Sequence, residues 1–154
     1  MIVYHGSVEP ERVLQEGFRL VQPRASDPGD MGRGIYTTTR YSRANCYGRA
    51  VLECRLDVTW YARITNPYFL HRLGELQPET LDEHVFYELA FQRRNGRTDM
   101  LTINGDKEER LAAAERVRDG MLAAGYTGIV TDYEGECVSY DLNTIQVIRY
   151  AEAV

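Results

Sequence analysis

A chain of 154 residues, 44% of them hydrophobic, is long enough for one compact domain with its own core, so residues 1–154 are read as a single domain. A net charge of −5 argues against sequence-independent nucleic-acid binding, which depends on basic side chains neutralising phosphates; all but one of the 18 basic residues are arginine, Lys107 being the exception. Cys46, Cys54 and Cys137 are odd in number and lack ligand-type spacing, which argues against a disulfide framework or a zinc site and fits a reducing cytosol; no leader is read, and no run approaches the roughly 20 apolar residues of a membrane span.

In chain order, "IVYHG" from Ile2 is a β-type run, and a helix follows with Pro10 at its start and Gly17 at its stop. Residues 21–34, rich in Pro, Gly and Asp, read as a long loop. "GIYTTT" from Gly34 is β-branched and aromatic and predicts a strand; "RYSRANCYGRA" predicts a short helix, and "AVLECRLDV" a further strand. Residues 61–69 are ambiguous, because Pro67 forbids a central strand through them. Leu81, Val85 and Leu89 fall four apart with Phe86 and Ala90 beside them, so 78–94 is predicted to be an amphipathic helix. After a loop over 95–105, Asp106 is placed to cap a helix over 107–124 that Gly125 ends. Three strand-like runs close the chain, broken by turns at Glu134-Gly135 and Asp141-Leu142-Asn143. Strands at both ends with helices between them predict an α+β fold with largely antiparallel pairing.

The C-terminal stretch "YEGECVSY" carries two acids, Glu134 and Glu136. Alternation along a strand puts Glu136, Val138 and Tyr140 on one face, the apolar one, and Cys137, Ser139 and Asp141 on the other. A carboxylate at the head of an apolar face is costly unless it is solvated, paired or used. Taken alone, Glu136 is also explained as a strand-end acid kept wet by the turn. Glu134 sits in the turn itself, where an acid needs no special role. Upstream, "YHGS" sets His5 at the end of an apolar strand, immediately before Gly6. In "GRGIYTTTRYSRANCY", Gly34 precedes Tyr36 on a strand and Tyr47 follows on the helix, two aromatics able to sandwich a planar ring or simply to pack.

Together, His5-Gly6-Ser7, the block Gly32-Arg33-Gly34-Ile35-Tyr36 with Ala44 and Tyr47, and Gly135-Glu136-Cys137-Val138-Ser139-Tyr140 resemble the ADP-ribosyltransferases of the diphtheria-toxin and poly(ADP-ribose)-polymerase type, with their His-Tyr-Glu triad. The resemblance covers about the first fifty and last thirty residues and leaves 61–105 without a counterpart. It implies a split β-sandwich of two small, mostly antiparallel sheets flanked by helices, with NAD bound as substrate between them and no metal. By the same resemblance His5 would bond the adenosine ribose, Gly6 the nicotinamide carboxamide, and Ser7 another part of the dinucleotide. Gly34 would border the same site, Tyr36 and Tyr47 would stack on the pyridinium, and Glu136 would bond the nicotinamide ribose beside the bond that breaks.

Two departures accompany the match: Thr37 stands where the family commonly has Phe, and Cys137 to Tyr140 replace Tyr-Val-Val-Phe. Glu134-Gly135-Glu136 also resembles the two-glutamate turn of the arginine-modifying branch. That branch has a first-strand Arg and a Ser-Thr-Ser motif, where this chain has His5 and "YTTT", so Glu134 remains an acceptor-side candidate only. Arg24, Arg33, Arg40 and Arg43 are all candidates for the pyrophosphate, with none singled out. The implied activity is mono-ADP-ribosyl transfer from NAD to a macromolecule, with a protein favoured over a nucleic acid and the acceptor itself left open by the sequence. By analogy, small stand-alone members of this kind are often toxins or phage effectors, some of them anti-CRISPR proteins. The alternatives are an NAD glycohydrolase and a catalytically silent binding module of the same fold.

Overall fold

A computed structural model describes residues 1–20, 29–67, 78–91 and 107–152. Its strands are β1 (Ile2–Ser7), β2 (Ile35–Thr38), β3 (Ala50–Leu56), β4 (Tyr61–Ile64), β5 (Gly128–Thr131), β6 (Glu136–Ser139) and β7 (Ile145–Tyr150). Its helices are α1 (Pro10–Glu16), α2 (Tyr41–Ala44), α3 (Leu81–Phe91) and α4 (Lys107–Ala123). The fold is therefore mixed α+β, as the alternation of signals along the chain predicts.

The strands join in the order β4-β5-β6-β2-β1-β3-β7, with β4 and β5 parallel and every other pair antiparallel. The pairing is uneven. β1 runs beside β3 from Ile2 to Ser7, but it meets β2 only where Tyr4 faces Thr38. At that point the ladder parts, leaving β4-β5-β6-β2 on one side and β1-β3-β7 on the other.

Two buried clusters show how these halves are used. The first packs Phe86, Tyr87 and Ala90 of α3 and Val117 and Met121 of α4 against Ala62, Ile64, Ile129 and Val138. The second joins Val3, Leu52, Cys54, Leu56 and Ile145 from the β1-β3-β7 side to Tyr61, Val130 and Cys137 from the other, with Val13 of α1 among them. Residues of both halves thus share one core, and β5 and β6 are covered on both faces. Full burial of a large aliphatic or aromatic side chain contributes about 1.5–3 kcal/mol, so these two clusters hold the elements in place.

Two expectations are corrected. The face of β6 carrying Cys137 and Ser139 is as buried as that of Val138, because β6 lies between two strands and between two cores. On α3 the buried face is Glu83, Phe86, Tyr87 and Ala90, whereas Leu81 at the head of the predicted stripe is exposed. Glu83 is tolerated there because its carboxylate accepts hydrogen bonds from the backbone N–H groups of Thr65 and Glu79 (2.9 Å each) and from the Thr65 hydroxyl (2.8 Å). The ambiguous stretch resolves into the short strand β4, which ends before Pro67. The proposed cap Asp106, the 95–105 loop, residues 21–28 and the ends of the 61–69 and 78–94 predictions fall outside the described residues. The predicted turn after β6 is a short 3-10 turn, Leu142–Thr144, in which the Asp141 carboxylate accepts from the Asn143 N–H at 2.9 Å.

Candidate active site

Where β1 and β2 part, a cleft of about 320 Å³ opens, lined among others by His5, Gly6, Gly34, Tyr36, Tyr47 and Glu136. These six of the seven residues to which the resemblance gives a dinucleotide or catalytic role come from β1, β2 and the residue before it, β6, and the chain after α2. Ser7, the seventh, does not line it. Its side chain is buried at the end of β1, where the hydroxyl accepts from the Glu9 N–H at 3.2 Å.

His5 is fixed by a short hydrogen bond, Nδ1 to the Tyr36 carbonyl at 2.7 Å, and by an edge-on contact with Phe18 at 5.0 Å between ring centroids. A carbonyl only accepts, so Nδ1 carries the proton and Nε2 of the neutral ring is an acceptor. Burial pushes the His5 pKa below the ordinary histidine value, against the opposing pull of the Tyr36 carbonyl. The neutral form is thereby favoured. Gly6 beside it is required for packing: a Cβ there would lie 2.2 Å from the Ala44 carbonyl oxygen and 3.1 Å from the Tyr47 Cβ. The close approach it permits is to the chain's own backbone, which brings Tyr47 to the cleft.

Tyr36 is anchored at its hydroxyl, which donates to the Gly32 carbonyl at 2.6 Å and accepts from the Met31 N–H at 2.8 Å. The fully buried Tyr140 donates to the Met31 carbonyl. Two tyrosines thus pin the 29–32 segment that forms the adjoining wall. Gly29 needs its positive φ of 96°, and a Cβ on it would meet the Tyr36 hydroxyl at 2.8 Å. Tyr47 lies in the bend after α2, not on the helix, and is largely exposed at 55%.

Glu136 opens β6 with a side chain only 13% exposed. It faces the guanidinium of Arg43, 3.4 Å from Oε1 to Nη2. The same guanidinium pairs with Glu134 at 3.0 Å and lies over the Tyr47 ring, 5.4 Å from its centroid. Desolvation lowers the Arg43 pKa, but Tyr47 and the two carboxylates outweigh it and leave the group raised and charged. Glu134 is thus more than a solvated turn acid. It stands at φ 52°, followed by Gly135 at 63°, in a tight turn closed by the Glu136 N–H to the Tyr133 carbonyl at 3.0 Å. Positive φ at both central residues is the pattern of a type I′ hairpin turn, which Asn-Gly suits far better than Glu-Gly. Thr38 holds the turn against β2 through its hydroxyl, which donates to the Glu134 carbonyl at 2.8 Å.

Among the candidate arginines, Arg33 lines the cleft but pairs with Glu115 of α4 at 2.9 Å, and Arg24 falls outside the described residues. Arg43 is the one clamped between both acids, and no signal in the sequence sets it apart from the others. Tyr4, Leu20 and Asp30 also line the cleft, and no motif in the sequence marks them. Among the described residues, no group of three or more His, Cys, Asp or Glu side chains is placed to hold a metal ion. No described helix is long and apolar enough to cross a membrane.

No family model matches the chain, and no curated protein matches it in sequence. Among solved structures it is similar to one described as the crystal structure of an anti-CRISPR protein, at 16% identity and a TM-score of 0.42, over 96% of this chain and 95% of that one. At that level of likeness, any function must be argued from the cleft itself.

Proposed function

We propose that the chain is an NAD-dependent mono-ADP-ribosyltransferase, and that its parted sheet is the split sandwich of that superfamily. The observation that carries this reading is the convergence of His5, Tyr36 and Glu136, each from a different strand, on one cleft at the parting of β1 and β2. A neutral His5 with Nε2 as acceptor suits a ribose hydroxyl as donor. A Tyr36 ring immobilised through its hydroxyl suits the face of a nicotinamide. Glu136 is the only carboxylate of the triad, and its side chain is mostly removed from water.

In the proposed reaction the bond between ribose C1′ and the nicotinamide nitrogen breaks, and its electron pair leaves with nicotinamide. The ribosyl cation is then attacked by a nucleophilic atom of the acceptor, which gives up a proton. Glu136 acts by stabilising positive charge that develops only as the bond breaks, so its contribution is to turnover more than to ground-state binding. The acceptor in this reading is a macromolecule, a host or defence protein, reached from the side of the cleft where Glu134 lies.

The test is nicotinamide release and label transfer from NAD labelled in its adenylate part, in a bacterial lysate with and without nuclease. Glu136→Gln is expected to lose on the order of 10²–10³-fold in turnover with NAD affinity largely kept. Absence of both label transfer and nicotinamide release with the wild-type protein would sink the reading; release without transfer would make the protein an NAD glycohydrolase instead.

A further inference from the structure

Glu136 opens β6 between two threonines: Thr38 of β2 is its register partner on one side, and Thr131 ends β5 on the other. Both are buried, Thr38 to 5% exposure and Thr131 to 8%, and a buried hydroxyl is costly unless it is bonded. Each donates to main-chain carbonyls of the turn that carries the two acids. Thr38 reaches Glu134 at 2.8 Å, and Thr131 reaches Glu136 at 2.9 Å with the Tyr133 carbonyl as the longer arm at 3.3 Å. The Thr39 N–H donates to the Gly135 carbonyl at 3.1 Å, so every carbonyl from Tyr133 to Glu136 has a donor. We infer that Thr38 and Thr131 are positioning residues that clamp this turn from both sides and thereby fix where the Glu136 carboxylate meets the cleft.

The turn needs such a clamp because its own sequence does not favour it. Glu134 and Gly135 stand at φ 52° and 63°, and a glutamate in the left-handed region is strained, so the conformation persists only where its surroundings hold it. Contact with β2 is close: a Cβ on Gly135 would collide with the Thr39 hydroxyl. Threonine suits both clamp positions, because its branched Cβ fits a strand while its hydroxyl reaches a neighbouring carbonyl. The isosteric valine keeps the shape and loses the donor. The run Thr37-Thr38-Thr39, to which the resemblance gives no role, thus supplies two of the contacts, one from a side chain and one from the main chain. A displacement of about 1 Å in a group that acts on a developing charge is enough to cost on the order of 10²-fold in rate.

The consequence for turnover rests on the function proposed above, whereas the clamp itself does not. The test therefore has two arms on the full chain: amide hydrogen exchange read by NMR without NAD, and nicotinamide release at varied NAD. Thr38→Val and Thr131→Val are expected to speed exchange of the Glu136 and Thr39 amides by about tenfold or more, and to lower kcat by roughly tenfold to a hundredfold with KM kept within about twofold. Thr38 also lines the cleft, so Thr131, separated from it by β6 and β2, carries the decisive comparison. Thr131→Ser keeps the hydroxyl and is expected to bring both readings to within about threefold of wild type. Thr65→Val removes a different hydroxyl, bonded to Glu83 at 2.8 Å, and is expected to lower the melting temperature while leaving kcat and exchange in the turn unchanged. The inference is overturned by unchanged exchange in Thr131→Val, by a loosened turn with kcat intact, by an equal loss of kcat in Thr65→Val, or by a loss that Thr131→Ser does not recover. If the wild-type protein cleaves no NAD, the transferase reading fails and the exchange arm alone upholds or overturns the clamp.

Discussion

Replacing Gly6 by Ala tests whether β1 positions the cleft through packing. The new Cβ would stand 2.2 Å from the Ala44 carbonyl oxygen, 3.1 Å from the Tyr47 Cβ and 3.2 Å from the Gly48 nitrogen. A carbon and a carbonyl oxygen need about 3.3 Å, so the two backbones must part by about 1 Å. The obstructing atom belongs to the main chain, so no side-chain rotation relieves the clash. Overpacking of this kind costs about 1–3 kcal/mol, which for a domain of this size is a melting temperature lower by roughly 2–12 °C. The displaced segment carries Tyr47, whose ring lies 5.4 Å from the Arg43 guanidinium, so the ring-shifted Arg43 side-chain resonance should change in the same variant. Calorimetry reads the first effect and NMR the second. A melting temperature within about 1 °C of wild type, with the Arg43 resonance unmoved, would refute the argument that Gly6 is there to admit the 44–48 backbone.

Glu134→Asn places the preferred residue in a type I′ turn, relieving roughly 1–2 kcal/mol of left-handed strain while giving up an ion pair worth at most about 1 kcal/mol at its one-third exposure. Thermal melting should therefore show stability kept or raised, and a drop of several degrees would contradict the strain. Tyr140→Phe removes the donor to the Met31 carbonyl and should cost about 1–3 kcal/mol in denaturant unfolding, with weaker ligand binding because the 29–32 wall loses an anchor. For His5 the folded pKa lies below its unfolded value of 6.5, so the unfolded chain binds more protons in the window between them. Stability is expected to be complete above that window and to fall as pH drops through about 6.5 toward the lower folded value; His5→Asn should flatten that part of the profile, and an identical slope in the variant would remove His5 as its source.

Local signals foretold the elements better than the faces they bury. Pro10 and Gly17 bracket α1 because each acts on its own backbone: the first sits where no N–H partner is needed, and the second takes φ 79°. Gly125 ends the segment after α4 in the same way, at φ 95°. Burial is a tertiary property and was less legible. On α3 the predicted Phe86 and Ala90 are buried and Val85 and Leu89 pack against the core half-buried, but Leu81 at the head of the row is exposed and the unpredicted Tyr87 and Glu83 are buried. Leu89 of that row is where α3 meets α4: at Gly120 a Cβ would stand 2.5 Å from the Leu89 side chain, a close approach that depends on a glycine in the partner helix and is not written in α3 itself.

The same limit applies to the acids of the Glu134–Glu136 turn. Alternation along β6 selected Glu136 because Val138 and Tyr140 share its face, but Cys137 and Ser139 on the other face are equally buried, so period two alone does not separate the acids. What separates them is position. Glu136 is the first residue of a central strand, at the end where Thr38 of β2 pairs with it and with Tyr4 of β1, so its side chain meets the opening of the sheet while the rest of β6 is covered. Glu134 lies one step outside that strand, in a backbone conformation that its side chain does not favour. Both then converge on Arg43, from a helix far away in sequence. A pair of acids two residues apart would otherwise repel, and here a single guanidinium lies between them.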